Sequence, residues 1–376
     1  MANLLLTNVR LITGSEILDN HHLVIKNGYI ERISDQIPTN FDDEIIDGNN
    51  QYLLPGFIDL QVNGGAGAYF TKDLNKESLI KIAEAHLEYG TTSFLPTIIS
   101  TSMENILKAI RVTEGCLGQY GILGMHLEGP YFNKIKKGAH QEKYLHTPSG
   151  PEIDELITEG AGVIKLITLA PEVISETLLK RLKKYFKIAA GHSNCSYNEA
   201  RKGFDNGIDM VTHLFNAMSQ FESRNPGLVG AFLNSDSWGS IIIDGTHVDY
   251  AAVEVAMKIA KDRLFIVSDA SFIKHPVNQF EFDGFKIHYH EGHYYNESGS
   301  LAGASITMFD AFKNLITQLN TPWLEATRMS SSLPATYLGI DNQVGYLKPG
   351  LKADMLLISE DLQLNKVIQS GKVSRT

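Results

Sequence analysis

Residues 187–218, KIAAGHSNCSYNEARKGFDNGIDMVTHLFNAM, decide the fold of this chain. The stretch contains two apolar runs, each followed by a histidine, His192 and His213. Between them lies a segment with a helical pattern, which opens on the capping box Ser196-x-x-Glu199. Buried strands that end in polar groups and alternate with helices are typical of a parallel (β/α)₈ barrel. We therefore expect both histidines at the carboxyl ends of neighbouring strands.

The same alternation of apolar runs and helical patterns covers most of the chain on either side of this stretch. Eight apolar runs are separated by helical patterns. One of these patterns opens on a second capping box, Thr101-x-x-Glu104. The runs are GFIDLQV, TTSFLPTI, GILGMHLE, VIKLITLA, FKIAAGH, DMVTHLF, SIIIDGTH and LFIVSDA. A doubly wound open sheet is the competing fold. The number of runs favours a closed, TIM-like (β/α)₈ barrel over residues 55–343.

Both ends of the chain have a different pattern, with short alternating strands and turns. Asn27-Gly28 and Asp47-Gly48 are hairpin signals near the start. Near the end, GYLKPGLKADMLLIS has a similar pattern of short alternating strands and turns. Because chain termini often lie close together, we predict one small β-sandwich domain from residues 1–54 and 344–376. Two separate β appendages are the alternative.

The composition narrows the class of protein. The net charge of −10 argues against broad binding to nucleic acid or to anionic membranes, so we expect neither as a partner. The two cysteines cannot form a disulfide framework, and no run approaches the roughly 18 apolar residues of a membrane span. The N-terminus lacks the pattern of a signal peptide. We expect a cytoplasmic protein.

Two carboxylates join the two histidines at the ends of predicted strands. Glu128 closes the third run and Asp269 the eighth. Glu128, His192 and His213 offer one carboxylate and two imidazoles, a ligand set that suits a catalytic zinc ion. Such an ion lowers the pKa of water and polarises a carbonyl group, and Asp269 could transfer the proton. A helix N-cap is the alternative role for Asp269.

Polar residues in the first strand indicate how many metal ions the site holds. Gln61 and Asn63 lie on one face of the first strand, where two-metal barrel hydrolases carry a His-x-His pair. Amides bind such ions less well than imidazoles, so we predict one metal ion with Gln61 and Asn63 in polar contacts nearby. The series His288-x-His290-x-x-His293 resembles ligand spacing, but Glu291-Gly292 indicates a turn. We predict an exposed hairpin there without a metal role.

Taken together, the motifs resemble those of the N-acetylglucosamine-6-phosphate deacetylase family of the amidohydrolase superfamily. The matching segments occur in family order over nearly the whole chain: PGFIDLQVNGG, HLEGPYF, KKGAHQ, GHSNCSY, THLFNAM, NPGLVGAF, DGTHVDY, VSDA, GSLAGASITM and GYLKPGLKADM. The resemblance implies metal ligation by Glu128, His192 and His213 and acid/base catalysis by Asp269, and it fits the single-metal branch of the family.

The resemblance also assigns residues that spacing alone does not reveal. His140 is implied to polarise the acetamide carbonyl, and Arg224 and His247 to bind phosphate, with His247 reaching across from the partner subunit of a homodimer. The implied sugar contacts are Ala139, His140, Asn216, Ala217, Leu301, Ala302 and Gly303. From the residues alone, a solvated loop cation for Arg224, a loop surface residue for His140 and a strand-end histidine for His247 are the favoured roles.

The implied activity is hydrolysis of N-acetylglucosamine 6-phosphate to glucosamine 6-phosphate and acetate, in amino-sugar catabolism and cell-wall recycling. One divalent ion per subunit is implied, with Zn²⁺ preferred over Fe²⁺, Mn²⁺ or Co²⁺. A cyclic-amide hydrolase is less favoured because the His-x-His pair is missing. A non-catalytic sugar-phosphate sensor is the alternative from another class.

Overall fold

Eight parallel strands form the sheet that carries the strand-end residues. The computed structural model describes residues 3–38, 41–273 and 277–375. The strands, numbered 1–8 in chain order, are Phe57–Val62, Thr91–Ile99, Met125–Glu128, Ile164–Leu169, Lys187–Ala190, Met210–Val211, Trp238–Ile241 and Leu264–Ile266. Nearly all of their residues are buried, as in sheets covered on both faces.

The sheet closes on itself. Each strand is hydrogen-bonded to its neighbour in chain order, from strand 1 to strand 8. Where strand 1 meets strand 8, Val62 at the end of strand 1 forms a parallel bridge with Ala270, which follows strand 8. The Asp269 N–H donates to the Gln61 carbonyl oxygen at 3.0 Å. This closure confirms the TIM-like (β/α)₈ barrel and excludes the open, doubly wound sheet.

A helix follows each barrel strand in the chain. These eight helices are Lys76–Leu87, Met103–Glu114, Gly150–Gly160, Glu176–Leu182, Tyr197–Asp205, Gly227–Leu233, Tyr250–Ala260 and Met308–Thr317, and the further α-helices Trp323–Thr327 and Leu333–Leu338 follow the eighth. Short 3₁₀ helices span Lys134–Lys136, Glu142–Tyr144, Pro171–Val173 and Lys261–Arg263, and a π-helical turn spans Arg328–Ser332.

One of the two predicted capping boxes is present as predicted, and the other is wrong by one residue. Ser196 and Glu199 form the box at the start of Tyr197–Asp205. The helix Met103–Glu114 is capped by Ser102, whose side chain accepts from the Asn105 N–H. The Thr101 hydroxyl, one residue before this cap, accepts from the Asn105 side-chain amide at 3.0 Å.

Strands from both termini form a second sheet, which confirms the predicted terminal β-sandwich. Its strands are Leu4–Ile12, Ile17–Lys26, Tyr29–Ser34, Glu44–Asp47, Tyr52–Pro55, Met355–Ile358, Leu364–Gln369 and Lys372–Arg375. The ends of the chain meet where Leu356 pairs with Leu54. Asn27-Gly28 forms the predicted hairpin turn, with both residues at positive φ.

The hairpin turn predicted at Asp47-Gly48 is wrong. The strands on either side of it, Glu44–Asp47 and Tyr52–Pro55, both pair parallel with Leu4–Ile12. They therefore lie one after the other along the same neighbour instead of pairing with each other. Asn49 and Asn50, both at positive φ, carry the chain between them.

By their internal contacts, the residues form two compact units. One comprises Met1–Asp59, His86–Ser93 and Met308–Thr376, and the other Leu60–Ala85 and Phe94–Thr307. The predicted domain boundaries at residues 54/55 and 343/344 stay a prediction. Of the described helices, none is both long and apolar enough to span a membrane.

The second unit also contains an antiparallel insertion after strand 8. Its strands are Gln279–Phe282, Phe285–His290 and His293–Asn296, and a pair of two-residue strands, Gly64–Gly65 and Ala68–Tyr69, follows strand 1. The predicted hairpin with its turn at Glu291-Gly292 is confirmed, since His290 and His293 pair across the turn.

Candidate metal centre and catalytic cavity

The barrel brings the four predicted strand-end residues to one rim. Glu128 is the last residue of strand 3, while His192, His213 and Asp269 follow the ends of strands 5, 6 and 8. His192, His213 and Asp269 have φ values of +48°, +33° and +50°. This left-handed region is uncommon for residues other than glycine, and such strain concentrates at functional sites.

Glu128, His192 and His213, here called the rim cluster, meet at a single point. Glu128 Oε1 lies 3.0 Å from His213 Nε2 and 3.3 Å from His192 Nε2. The two Nε2 atoms are 3.1 Å apart. All three residues are at least 94% buried, so little water competes for these atoms. Three donor atoms that converge in this way fit a divalent cation.

A fourth side chain, His140, also approaches the cluster. Glu128, His140 and His192 offer ligand atoms within 4.8 Å of one another, which makes His140 a competing metal ligand. However, His140 Nε2 is 4.0 Å from the nearer Glu128 oxygen, farther than His213 is.

Hydrogen bonds to the other ring nitrogens distinguish His140 from His192. The Ser100 backbone N–H donates to His140 Nδ1 at 3.2 Å, so neutral His140 carries its proton on Nε2 and cannot ligate through that atom. His192 Nδ1 lies 3.1 Å from the Lys136 carbonyl oxygen, which can only accept. His192 therefore carries its proton on Nδ1 and presents a free lone pair at Nε2. The donor set favours His192 and leaves His140 as a hydrogen-bond donor to the cavity.

The electrostatics of the rim cluster agree with this assignment. Burial, reinforced by His192, holds the pKa of His140 well below its usual range, so the ring stays neutral. Burial also lowers the pKa of His192. Burial by itself would raise the pKa of Glu128, but the neighbouring His192 and His213 rings outweigh burial and lower this pKa well below its usual range. Burial by itself would lower the pKa of His213, but the Glu128 carboxylate outweighs burial and raises this pKa. The site thus combines an anionic carboxylate with a neutral His192 and a neutral His140.

Gln61 joins the rim cluster to Asp269. Its Nε2 donates to Glu128 Oε1 and to Asp269 Oδ1, each at 2.9 Å. Asn63 Nδ2 donates to the same Asp269 oxygen at 2.8 Å. Gln61 and Asn63 therefore lie where the sequence places them, in polar contact beside the cluster. Burial and the nearby Glu128 carboxylate raise the pKa of Asp269, which favours a carboxyl that can both take up and release a proton.

A cavity of about 360 Å³ opens onto these residues. Most of the predicted substrate contacts line it: Ala139, His140, Asn216, Ala217, His247, Leu301, Ala302 and Gly303. Arg224 is not among the described residues of the lining.

The structure places His247 in the lining of the cavity, together with His213 and Asp269. The expected role of His247 across a subunit boundary stays a prediction. His247 Nδ1 is 2.6 Å from Asp244 Oδ2, within the same loop after strand 7. That contact turns the other ring nitrogen, Nε2, away from the carboxylate. The Asp244 carboxylate thus fixes the orientation of the His247 ring within this loop.

Several residues of the cavity were missed by sequence reasoning. Ile99 ends strand 2 at the same rim, so the strand-end rule could have found it. Tyr69 follows strand 1, and Phe285 lies in the insertion after strand 8, where the sequence gives no signal for a cavity wall.

Comparison with family models assigns the class of protein. The model described as "Amidohydrolase family" matches residues 52–374, and the model described as "NagA composite domain" matches residues 4–50. The chain therefore belongs to the amidohydrolase family.

Individual relatives are more specific. An N-acetylglucosamine-6-phosphate deacetylase of Haemophilus influenzae is 36% identical, with 98% of each chain covered. An N-acetylgalactosamine-6-phosphate deacetylase of Escherichia coli O157:H7 is 32% identical, with 97% of each covered. The crystal structure of N-acetylglucosamine-6-phosphate deacetylase from Pasteurella multocida superimposes with a TM-score of 0.95 at 34% identity over 100% of both chains. Within the amidohydrolases, the chain is thus a member of the N-acetylglucosamine-6-phosphate deacetylase family.

Proposed function

We propose that this enzyme hydrolyses the amide of N-acetylglucosamine 6-phosphate to glucosamine 6-phosphate and acetate. The observation that carries the proposal is the convergence of Glu128, His192 and His213 beside Asp269 in one cavity. Relatives named for this reaction, similar over the full length of the chain, support the substrate.

One divalent ion per subunit would be held by Glu128, His192 and His213. When bound, such an ion polarises a carbonyl group and lowers the pKa of water. We propose Zn²⁺, since one carboxylate and two imidazoles suit it, with Fe²⁺, Mn²⁺ and Co²⁺ as the alternatives that metal analysis distinguishes.

The protein's own side chains then divide the chemistry between them. Asp269 accepts a proton from the attacking water as the oxygen bonds to the carbonyl carbon. His140 donates a hydrogen bond from Nε2 to the carbonyl oxygen as negative charge develops there, a contribution of roughly 3 kcal/mol in comparable sites. Asp269 returns the proton to the nitrogen as the C–N bond breaks, which releases the free amine and acetic acid, and the acid ionises to acetate in solution. Gln61 and Asn63 hold the Asp269 carboxylate in place.

His247 is the proposed anchor for the phosphate. Its Nδ1 is engaged by Asp244, which leaves Nε2 to donate to a phosphate oxygen when protonated. We retain Arg224 as a second phosphate ligand. Because Arg224 lies outside the described lining, it would reach the phosphate only if its loop moves or if a second subunit supplies it.

The predicted homodimer and cytoplasmic location also belong to this proposal. Two free, buried cysteines, Cys116 and Cys195, are compatible with a reducing compartment. Sizing the protein in solution tests the dimer, and the KM of Arg224→Ala for the phosphorylated substrate tests the arginine.

The test of the function is acetate release with the metal content measured in the same sample. The wild-type protein should release acetate from N-acetylglucosamine 6-phosphate, and Asp269→Asn should keep its metal while losing at least about 1,000-fold in turnover. A protein that binds the metal and the sugar phosphate but releases no acetate would instead be a sensor.

The N-acetylgalactosamine-6-phosphate deacetylase among the relatives supports the C4 epimer as a second candidate substrate. Parallel assays of the two epimers, each with and without the phosphate, decide between them. Loss of the phosphate should lower kcat/KM strongly, and equal rates would remove His247 and Arg224 from their proposed roles.

A further inference from the structure

The cavity has two chemically different sides. The polar side is formed by the rim cluster, His140 and Asp269. The other side is formed by Tyr69, Ile99 and Phe285, here called the apolar wall, which are 2%, 6% and 3% exposed. All three belong to one hydrophobic cluster, which continues behind them into Phe272, Phe280, Ile287, Tyr294 and Ala302.

The apolar wall lies directly beside the reacting groups. Ile99 is the register partner of Glu128 in the parallel ladder of strands 2 and 3. The next residue, Ser100, holds His140 through its N–H and hydroxyl groups. Tyr69 pairs with Gly64, the residue after Asn63. A carbonyl group placed between Glu128, His140 and Asp269 therefore has this wall as its apolar neighbour.

Packing behind the wall makes it firm. The Tyr69 ring centroid lies 5.0 Å from that of Phe280 and 5.9 Å from that of Phe285. The insertion that carries Phe285 is tied to the loop after His140, because Lys143 Nζ bonds Asp283 Oδ1 at 2.8 Å. A close-packed wall of this kind does not yield easily to a larger ligand.

From this arrangement we infer that the apolar wall receives the acyl substituent of the substrate and limits it to the size of acetyl. The inference rests on the proposed function. The hydroxyl and phosphate groups of an amino-sugar phosphate need polar partners, and burying them against hydrocarbon is costly. The acyl methyl group needs none, so it fits against the tightly packed side chains of the apolar wall.

The experiment compares two acyl groups within each variant. The ratio of kcat/KM for N-propionyl-glucosamine 6-phosphate to that for the N-acetyl compound is measured for the wild type, Ile99→Ala and Phe285→Leu. We expect the wild type to favour acetyl by about tenfold or more, which is the usual effect of one methylene group in a close-fitting pocket. In at least one variant the ratio should rise about tenfold toward propionyl. General damage to folding or metal binding lowers both rates and leaves this ratio unchanged.

Ile135→Ala is the matched control, because Ile135 also lines the cavity but is 74% exposed and lies outside the apolar cluster. Its ratio should equal that of the wild type. An unchanged ratio in both wall variants, or an equal shift in Ile135→Ala, would overturn the inference while leaving the deacetylase intact. A wild-type protein that releases no acetate from the N-acetyl compound would contradict the proposed function itself and this inference with it.

Discussion

The chain carries two groups of histidines, and only one of them has the character of a metal site. The hairpin histidines, His288, His290 and His293, follow one another at ligand-like intervals in a single segment. His192 and His213 of the rim cluster follow different barrel strands, yet their Nε2 atoms are 3.1 Å apart. His290 is 67% exposed in its side chain, whereas His192 and His213 are nearly buried.

This comparison shows that a metal site needs ligand atoms that converge and imidazole tautomers that are fixed. Ligand-like spacing in the sequence is not sufficient. His192 is oriented by a carbonyl oxygen at its far nitrogen and faces a buried carboxylate. His293 has its Nε2 engaged by the Thr246 hydroxyl at 3.1 Å. Glu128 and His192 also belong to a group of three candidate ligands, completed by His140, whose ligand atoms lie within 4.8 Å of one another.

The largest expected effect comes from removing one histidine of each group. His192→Ala should lose the metal and lower kcat/KM by about 1,000-fold or more, because it removes a ligand from a three-ligand site. His290→Ala, a histidine in the exposed hairpin, is the matched control and should keep the wild-type metal content and rate. Metal analysis with an acetate assay checks both. Equal losses in the two variants would erase the distinction between the groups.

A smaller effect is expected from the residue that joins the cluster to Asp269. Gln61→Met removes both hydrogen bonds at nearly constant volume, so the two carboxylates lose their shared donor. Metal affinity or kcat should fall by about 10–100-fold, as for other residues that orient ligands. Gln279→Met, an exposed substitution in the insertion, serves as the control. Wild-type affinity and kcat in Gln61→Met would show that the cluster does not depend on this contact.

The smallest effect is a pH-dependent difference in stability. Because burial raises the pKa of Asp269 in the folded state, its contribution to stability is complete below the unfolded pKa and is lost as the pH rises through the folded pKa. In chelator-treated protein, Asp269→Asn should therefore become more stable than the wild type as the pH increases. The difference in the free energy of unfolding between the variant and the wild type should grow by about 1.4 kcal/mol per pH unit between the unfolded and the folded pKa of Asp269.

Urea unfolding at several pH values measures this gap. Glu291→Gln, at a side chain that is 84% exposed in the hairpin, should show no such pH-dependent gain. A gap that shrinks with rising pH in Asp269→Asn would mean that the carboxyl is stabilised in its charged form.

Much of this site follows from a rule that is visible in the sequence. Apolar runs closed by Glu128, His192, His213 and Asp269 predict convergence, because carboxyl ends of parallel strands share one rim. The exposed hairpin was predictable from Glu291-Gly292 for the same kind of local reason.

What the sequence could not supply depends on contacts between distant segments. The tautomers of His140 and His192 are set by Ser100 and Lys136, far away in the chain. The turn after Asp47 depends on pairing with a third strand, so its local signal was misleading. The place of His247 likewise depends on how its loop returns over the barrel.

The central claim is that Glu128, His192 and His213 share one metal ion. An anomalous-diffraction map from crystals of the metal-loaded protein tests it most directly. The account predicts a single peak per chain in contact with Glu128, His192 Nε2 and His213 Nε2, with His140 left unligated. A peak bound by His140 in place of His213, or one seated on the hairpin histidines, would contradict it.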